Sequence, residues 1–304
     1  MKVLEHPSTA LNLTAWFVTA PPDGKIPNYT VLEEAMESQT GLVHETGDVN
    51  ELLIENTGET DLFIQAGDIV KGGRQDRTLG ADFIVPAKSG KVPIPVYCVE
   101  SARWHKRRNE SDAFFSTSTD FAASKKLRST LRAKKSQSEV WQSVAEEQEK
   151  LSASIQAATK SAESPTSLQL SYEMKEMSEA VNVYLAGLES IPAAEVAGVV
   201  WAINGKLSHA DIYGSPILFQ KVWKKLLRAA SREAIGERSQ SSSESLTDVA
   251  TVSKWLEEAR LAPAEEEELP PRTRLSTRRS KSQLRFETMD TQIQEQIHLS
   301  ILAQ

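Results

Sequence analysis

Residues 62–104 constrain the chain most. They read LFIQAGDIVKGGRQDRTLGADFIVPAKSGKVPIPVYCVESARW, in which short apolar runs alternate with polar, arginine-bearing corners. Strand-like runs cover 62–64, Ile69 and Val70, 83–85, and 92–99. Gly72 and Gly73 break the second run and are followed by Arg74, Gln75, Asp76 and Arg77. Ser89 and Gly90 mark the turn before the last run, and Glu100, Arg103 and Trp104 follow it. A sheet presents a site at its rim in this way, because rigid strands fix the geometry and the connections carry the chemistry.

The length of 304 residues accommodates one large domain or two small ones. A net charge of −7 argues against general nucleic-acid binding. The charge is uneven, however: from Lys71 to Arg108 nine Lys and Arg stand against three Asp and Glu, a local +6. A basic site in an acidic protein fits a small anionic ligand, such as a phosphate or nucleotide, better than a DNA-sized one; the competing reading is an ordinary set of solvated loops. Cys98 is the only cysteine, which excludes an internal disulfide and a cysteine-based zinc site. Within its apolar run it reads as a buried small hydrophobe. The first residues lack the long apolar core of a signal peptide, and no stretch reaches the ~18 apolar residues that span a membrane. The expectation is a soluble cytoplasmic protein with no membrane partner.

In chain order, residues 11–18 read as a strand ended by a Pro-Pro-Asp-Gly turn. A short helix over 30–36 has Thr30 as N-cap and Glu33 three residues later, as in a capping box. Short strands follow at 43–46 and 52–56. The run 121–135 holds six Lys and Arg and no acid; it reads as a flexible basic surface arm, or more sharply as a nucleic-acid contact. A helix is expected over 139–155. Leu170, Met174, Met177, Val181, Tyr184, Leu185 and Leu188 recur at helical steps, placing them on one face of a helix that ends before Pro192.

Val199, Val200, Trp201, Ala202 and Ile203 lead into Asn204-Gly205, the favoured two-residue hairpin turn, with Leu207, Ile212 and Tyr213 on the return strand. Ser215-Pro216 fits an N-cap and first helical position. The helix there shows Leu218, Val222, Trp223, Leu226 and Ala230 on one face, with Lys221, Lys224, Lys225 and Arg228 largely opposite. Residues 238–245 are serine-rich. Thr247 or Ser245 caps a further helix, 265–281 form a polar connection, and 283–288 and 296–301 are closing strands. The expected fold is α+β: a largely antiparallel sheet flanked by helices, in a single domain over 1–304. It carries an inserted helical segment with a basic arm at 105–192 and a partly flexible polar segment at 238–281.

The motifs LFIQAGDIVKGGRQDRTL, IVP, SGKVPIPVYCVES and RW, with the later VVWAINGKLSHADIYGSPILFQKVWKKLLR, resemble the ADP-ribosylglycohydrolase and rhodanese-phosphatase-superfamily-associated family. The resemblance covers most of the chain and is weaker over 106–136 and 238–281. The matching positions are Asp68, Gly72, Gly73, Arg77, Pro86, Pro95, Glu100, Arg103 and Trp104, then Asn204, Gly205, Asp211, Ser215, Pro216, Phe219, Trp223 and Leu227. The family carries no settled activity. The resemblance implies a link to NAD-derived nucleotide metabolism, with a partner enzyme of ADP-ribose metabolism.

The sharper candidates are Gly72, Gly73, Arg77, Glu100, Arg103 and Trp104. Glycines let backbone approach a ligand, and successive N–H groups at such a corner make an anion nest. Arg77 and Arg103 would clamp phosphate oxygens, and Trp104 would stack on a base. Glu100 would accept a ribose hydroxyl or act as general base. The bland alternative is a tight turn with Glu100 in a structural salt bridge to Arg103 or Arg77. The Gly-Lys-Ser/Thr ending of a P-loop is missing, as is a Gly-x-Ser-x-Gly elbow. No two histidines have metal-ligand spacing, so no metal site is expected; His209 and Asp211 share one face of a strand. No cofactor is indicated. The leading expectation is binding or processing of an ADP-ribose-type nucleotide, by hydrolysis without a redox cofactor if the protein is an enzyme. The alternative is a non-catalytic interaction or scaffold module associated with ADP-ribose-processing enzymes.

Overall fold

The computed structural model describes residues 1–20, 26–100, 115–133, 136–156, 174–238 and 247–304. They fall into two compact units: unit 1 comprises Met1–Asn28 and Val181–Gln304, and unit 2 comprises Tyr29–Ala180. The mixed content of strands and helices, with a large antiparallel sheet flanked by helices, is the expected α+β class.

Unit 1 is built on a nine-stranded sheet. Its strands are β1 (Lys2–Val3), β2 (Ser8–Ala10), β3 (Leu13–Thr19), β13 (Val196–Ile203), β14 (Lys206–Tyr213), β15 (Ala264–Leu269), β16 (Thr273–Arg279), β17 (Gln283–Asp290) and β18 (Glu295–Ala303). They run in the order β1-β3-β13-β14-β18-β17-β16-β15, with β2 also on β3. Asn204 and Gly205 form the β13–β14 turn at φ +50° and +74°, the positive pair that this two-residue turn demands. Every residue of β13 is buried, as its unbroken apolar run requires.

The two faces of this sheet are covered differently. Helix α6 (Val249–Glu257) places Val252 and Leu256 on Trp16, Val18, Val200, Ile212, Leu299 and Ile301. Helix α5 (Pro216–Gly236) begins at the expected cap, where Ser215 Oγ accepts from the Ile217 N–H at 3.2 Å with Pro216 at the first position. Its Trp223 stacks on Trp201 at 5.6 Å and 4°, and meets Phe17 and Phe219 at 5.4 and 5.5 Å. Burying each such ring contributes about 2–3 kcal/mol. Lys225, expected on the solvent side of α5, is only 3% exposed.

Two further expectations are corrected in unit 1. Residues expected to form a polar connection instead form β15 and β16, paired from Ala264↔Arg278 to Leu269↔Thr273. β15 is an edge strand whose glutamates are solvated, so no apolar alternation marks it. The cap of α6 is neither Thr247 nor Ser245. Asp248 Oδ1 accepts from the Thr251 N–H at 2.7 Å, while the Thr247 hydroxyl donates to the Gly205 carbonyl; Ser245 lies outside the described residues.

Unit 2 holds a six-stranded sheet, β12-β8-β9-β11-β6-β5, and a three-stranded one, β10-β7-β4. The strands are β4 (Thr30–Val31), β5 (Gly41–Glu45), β6 (Glu51–Asn56), β7 (Leu62–Ile64), β8 (Asp68–Gly72), β9 (Arg77–Leu79), β10 (Phe83–Val85), β11 (Val92–Cys98) and β12 (Phe115–Ala122). Helix α1 (Leu32–Glu37) starts later than expected, because Thr30 is taken by pairing with Leu62. Val31 takes the cap position, and Glu34 rather than Glu33 reaches back to its N–H at 3.3 Å.

Helix α2 (Lys125–Ala133) replaces most of the expected flexible basic arm. Arg128 is buried, and the Arg132 guanidinium lies 4.0 Å from the carboxylate of buried Asp82. Helix α3 (Gln137–Gln156) is as expected. Helix α4 (Lys175–Leu188) buries Met177, Val181, Tyr184 and Leu188 at the expected spacing and carries the boundary between the units; Leu170 lies outside the described residues. Among the described residues no helix is long and apolar enough to cross a membrane.

Candidate functional site

Strand pairing explains how residues far apart in sequence meet in unit 2. β8 and β9 pair antiparallel, with Val70 opposite Arg77, so Gly73, Arg74, Gln75 and Asp76 form the connection. β9 pairs on its other edge with β11, which sets Cys98 opposite Arg77 and brings Glu100 alongside the same connection. The Asp76 N–H donates to Glu100 Oε2 at 3.1 Å, the Val99 N–H to the Asp76 carbonyl at 3.2 Å, and Gln75 Nε2 to the Glu100 carbonyl at 3.2 Å. Arg77 Nη1 donates to the Gln75 carbonyl at 3.0 Å and reaches its Oε1 at 3.4 Å. Four expected site residues, Gly72, Gly73, Arg77 and Glu100, are therefore brought together; Arg103 and Trp104 lie outside the described residues.

The gathering is interior. Arg77 and Asp76 are 0% exposed and Glu100 is 2% exposed. In a low-dielectric interior such bonds are strong, and losing one partner is expensive. The glycine corner is specified just as tightly. Gly72 and Gly73 have φ of +130° and +54°, and a Cβ on Gly73 would stand 2.5 Å from Phe115 Cζ and 2.8 Å from Glu45 Oε2. Glu45 Oε2 also accepts from the Arg74 N–H at 3.3 Å. The Gly72 N–H in turn donates to Asp76 Oδ1 at 3.3 Å, so two carboxylates of the chain itself lie at this corner. No local pattern marks Glu45, Gln75 or Asp76 as members of the network, because each enters it through pairing of distant strands.

With this geometry in view, the family model can be set beside it: it matches residues 3–302. The chain belongs to the ARG and Rhodanese-Phosphatase-superfamily-associated Protein family. By that description it is an associated protein rather than an ADP-ribosylglycohydrolase itself. No curated protein and no solved structure matches the chain.

In this family member Cys98 faces the same network, its thiol donating to Gln75 Oε1 at 2.9 Å. Burial pushes the thiol up to about 11; Arg77 opposes this, and Glu45 and Glu100 add to it. It remains protonated near neutral pH, as a small core residue rather than a nucleophile. In unit 1, His209 and Asp211 share one face of β14 as expected, but the partner of Asp211 is one that sequence spacing missed. His298 Nε2 lies 3.2 Å from Asp211 Oδ1. Among the described residues no group of three or more His, Cys, Asp or Glu is placed to hold a metal ion.

Proposed function

We propose that the protein is a non-catalytic interaction module working with ADP-ribose-processing enzymes of the kinds its family description names. One observation carries this reading: Arg77 and Glu100, the sequence's best phosphate clamp and general base, are engaged with Gln75 and Asp76 inside unit 2. A carboxylate accepting a backbone N–H in the interior suits holding a fold better than activating a water. The direct test mixes the protein with an ADP-ribosylglycohydrolase and measures association by calorimetry and by size-exclusion chromatography with light scattering. A complex of defined stoichiometry, with no ADP-ribose hydrolysis by the protein alone, is expected. Absence of any complex, or turnover by the isolated protein, sinks the reading.

The second reading is a nucleotide-binding protein that takes ADP-ribose at the Gly72, Gly73, Arg77 and Glu100 corner, with Arg103 and Trp104 contributing. It is favoured by the convergence of Arg77 and Glu100 on one connection within a locally basic stretch. Calorimetric titration of ADP-ribose decides it. Heat with the native protein that is lost in Arg77→Ala supports the corner; no heat with the native protein removes the reading without recourse to the variant.

A further inference from the structure

The nine-stranded sheet of unit 1 ends on β1, which pairs with β3 alone. Val3 stands opposite Val18, and the next residue, Leu4, donates its N–H to the Phe17 carbonyl at 2.9 Å. Backbone groups along an antiparallel strand point by turns toward and away from the neighbouring strand. Leu4 points toward β3, so the N–H and C=O of Val3 point outward at the open edge. Neither has a hydrogen-bond partner among the described residues, although Val3 is only 5% exposed. An enclosed backbone donor and acceptor without partners cost free energy that the peptide group of a ligand recovers.

Beside this edge lies a groove of about 300 Å³. Its walls include the chain at Lys2, Val3 and Glu5 and one face of α6 at Val249, Ser253, Leu256 and Glu257. Val3 and Leu256 belong to one apolar cluster with Val249 packed against it, so the floor is apolar. Lys2 and Glu5 are exposed and make no ion pair among the described residues. Every pair in this sheet is antiparallel. A second copy of β1 fits badly here, because its own α6 would lie over the same face. Two helices each about 10 Å across cannot both cover strands about 4.8 Å apart. A bare extended segment brings no such helix.

We propose that the groove between β1 and α6 takes an extended segment of a partner protein as an added antiparallel strand. One residue of the segment exchanges both backbone hydrogen bonds with Val3. Its side chain shares the face of the Val3 side chain, so it is apolar and lies toward Val249 and Leu256. Antiparallel travel sets the residue after this anchor opposite Lys2, where an acid fits. It sets the residue two before the anchor opposite Glu5, where a lysine or arginine fits. That the segment belongs to a partner protein rests on the interaction-module reading above; the chemistry of the groove does not.

The test titrates a blocked peptide, Thr-Lys-Thr-Leu-Glu-Thr, into the full chain labelled with ¹⁵N. The Val3 and Ser253 amide signals should move, and hydrogen exchange at Val3 should slow. The same peptide N-methylated at its leucine lacks one backbone donor and should bind roughly tenfold more weakly. The charge-swapped Thr-Glu-Thr-Leu-Lys-Thr should also bind more weakly, and Ser253→Arg, which fills the groove, should abolish the Val3 response. An unmoved Val3 signal, or equal binding of the N-methylated peptide, overturns strand addition. A native dimer that Ser253→Arg splits hands the groove to a second copy and overturns the partner. Mixing with an ADP-ribosylglycohydrolase separates this proposal from the reading beneath it. A complex lost in Ser253→Arg supports both, and a complex retained in that variant overturns the groove alone. A Val3 response to the peptide without any native complex sinks the module reading and leaves the groove standing.

Discussion

The side-chain amide of Gln137 clasps both backbone groups of Cys98: its Oε1 accepts the Cys98 N–H at 2.9 Å and its Nε2 donates to the Cys98 carbonyl at 3.0 Å. One residue of α3 thus replaces a neighbouring strand for the end of β11, whose other edge is paired through Cys98↔Arg77. The clasp lies two residues before Glu100. Gln137→Leu removes both bonds and should destabilise the protein by about 2–3 kcal/mol, at roughly 1 kcal/mol per bond plus the cost of stranded backbone groups. Urea denaturation measures the loss, and amide exchange at Cys98 should accelerate. Unchanged stability would mean that β11 holds its end without α3.

The glycines offer a contrast between two similar substitutions. Gly73→Ala puts a Cβ into Phe115 and Glu45 at a backbone φ of +54°, whereas nothing lies within 4 Å of a Cβ on Gly90. The first should cost about 2 kcal/mol or more, from strain and overpacking together. The second should fall within about 0.5 kcal/mol of the native protein. Thermal unfolding of the two variants side by side checks the difference.

Cys98 should resist thiol reagents at pH 8 in the folded protein and react once the protein is unfolded in urea. The folded thiol titrates near 11, against an ordinary value of 9. Between these values the folded state holds a proton that the unfolded state has released. Stability should therefore fall as pH rises from about 9 to about 11, and level off beyond. Cys98→Ala should abolish that part of the pH dependence, whatever it does to overall stability.

Arg272 and Asp290 form a buried two-point pair at the β16–β17 ends, with Nε to Oδ1 at 2.7 Å and Nη2 to Oδ2 at 2.6 Å. Arg272→Met alone leaves a buried carboxylate without this partner and should cost about 3–5 kcal/mol. Combining it with Asp290→Leu should recover most of that loss, because the desolvated charge goes too. A denaturation double-mutant cycle reads the coupling, and purely additive single costs would show that the pair is not a coupled unit.

Some of the fold was legible because it is specified locally. Asn204-Gly205 supplies the positive φ values of its turn, and Ser215-Pro216 supplies both the cap and the first helical residue of α5. The helical spacing of Met177, Val181, Tyr184 and Leu188 finds their buried face. Where competition decided the outcome, local reading slipped. Thr30 is a good cap, but its backbone pairs with Leu62, so the helix starts after it. β15 was hidden because a charged edge strand lacks alternation, and the cations of α2 looked like an arm because nothing local says that Arg128 turns inward.

The candidate residues divide on the same principle. The chain alone determined that Gly72, Gly73, Arg77 and Glu100 lie at or just beyond the ends of short strands, and that His209 and Asp211 share a strand face. Tertiary structure alone decided that Arg77 and Glu100 meet through Gln75 and Asp76 in a sealed interior, and that Asp211 finds His298 across 87 positions. The physical reason is that the two-residue period of a strand states which side a residue faces, whereas its neighbour across the ladder is set by which strands pair and in what register.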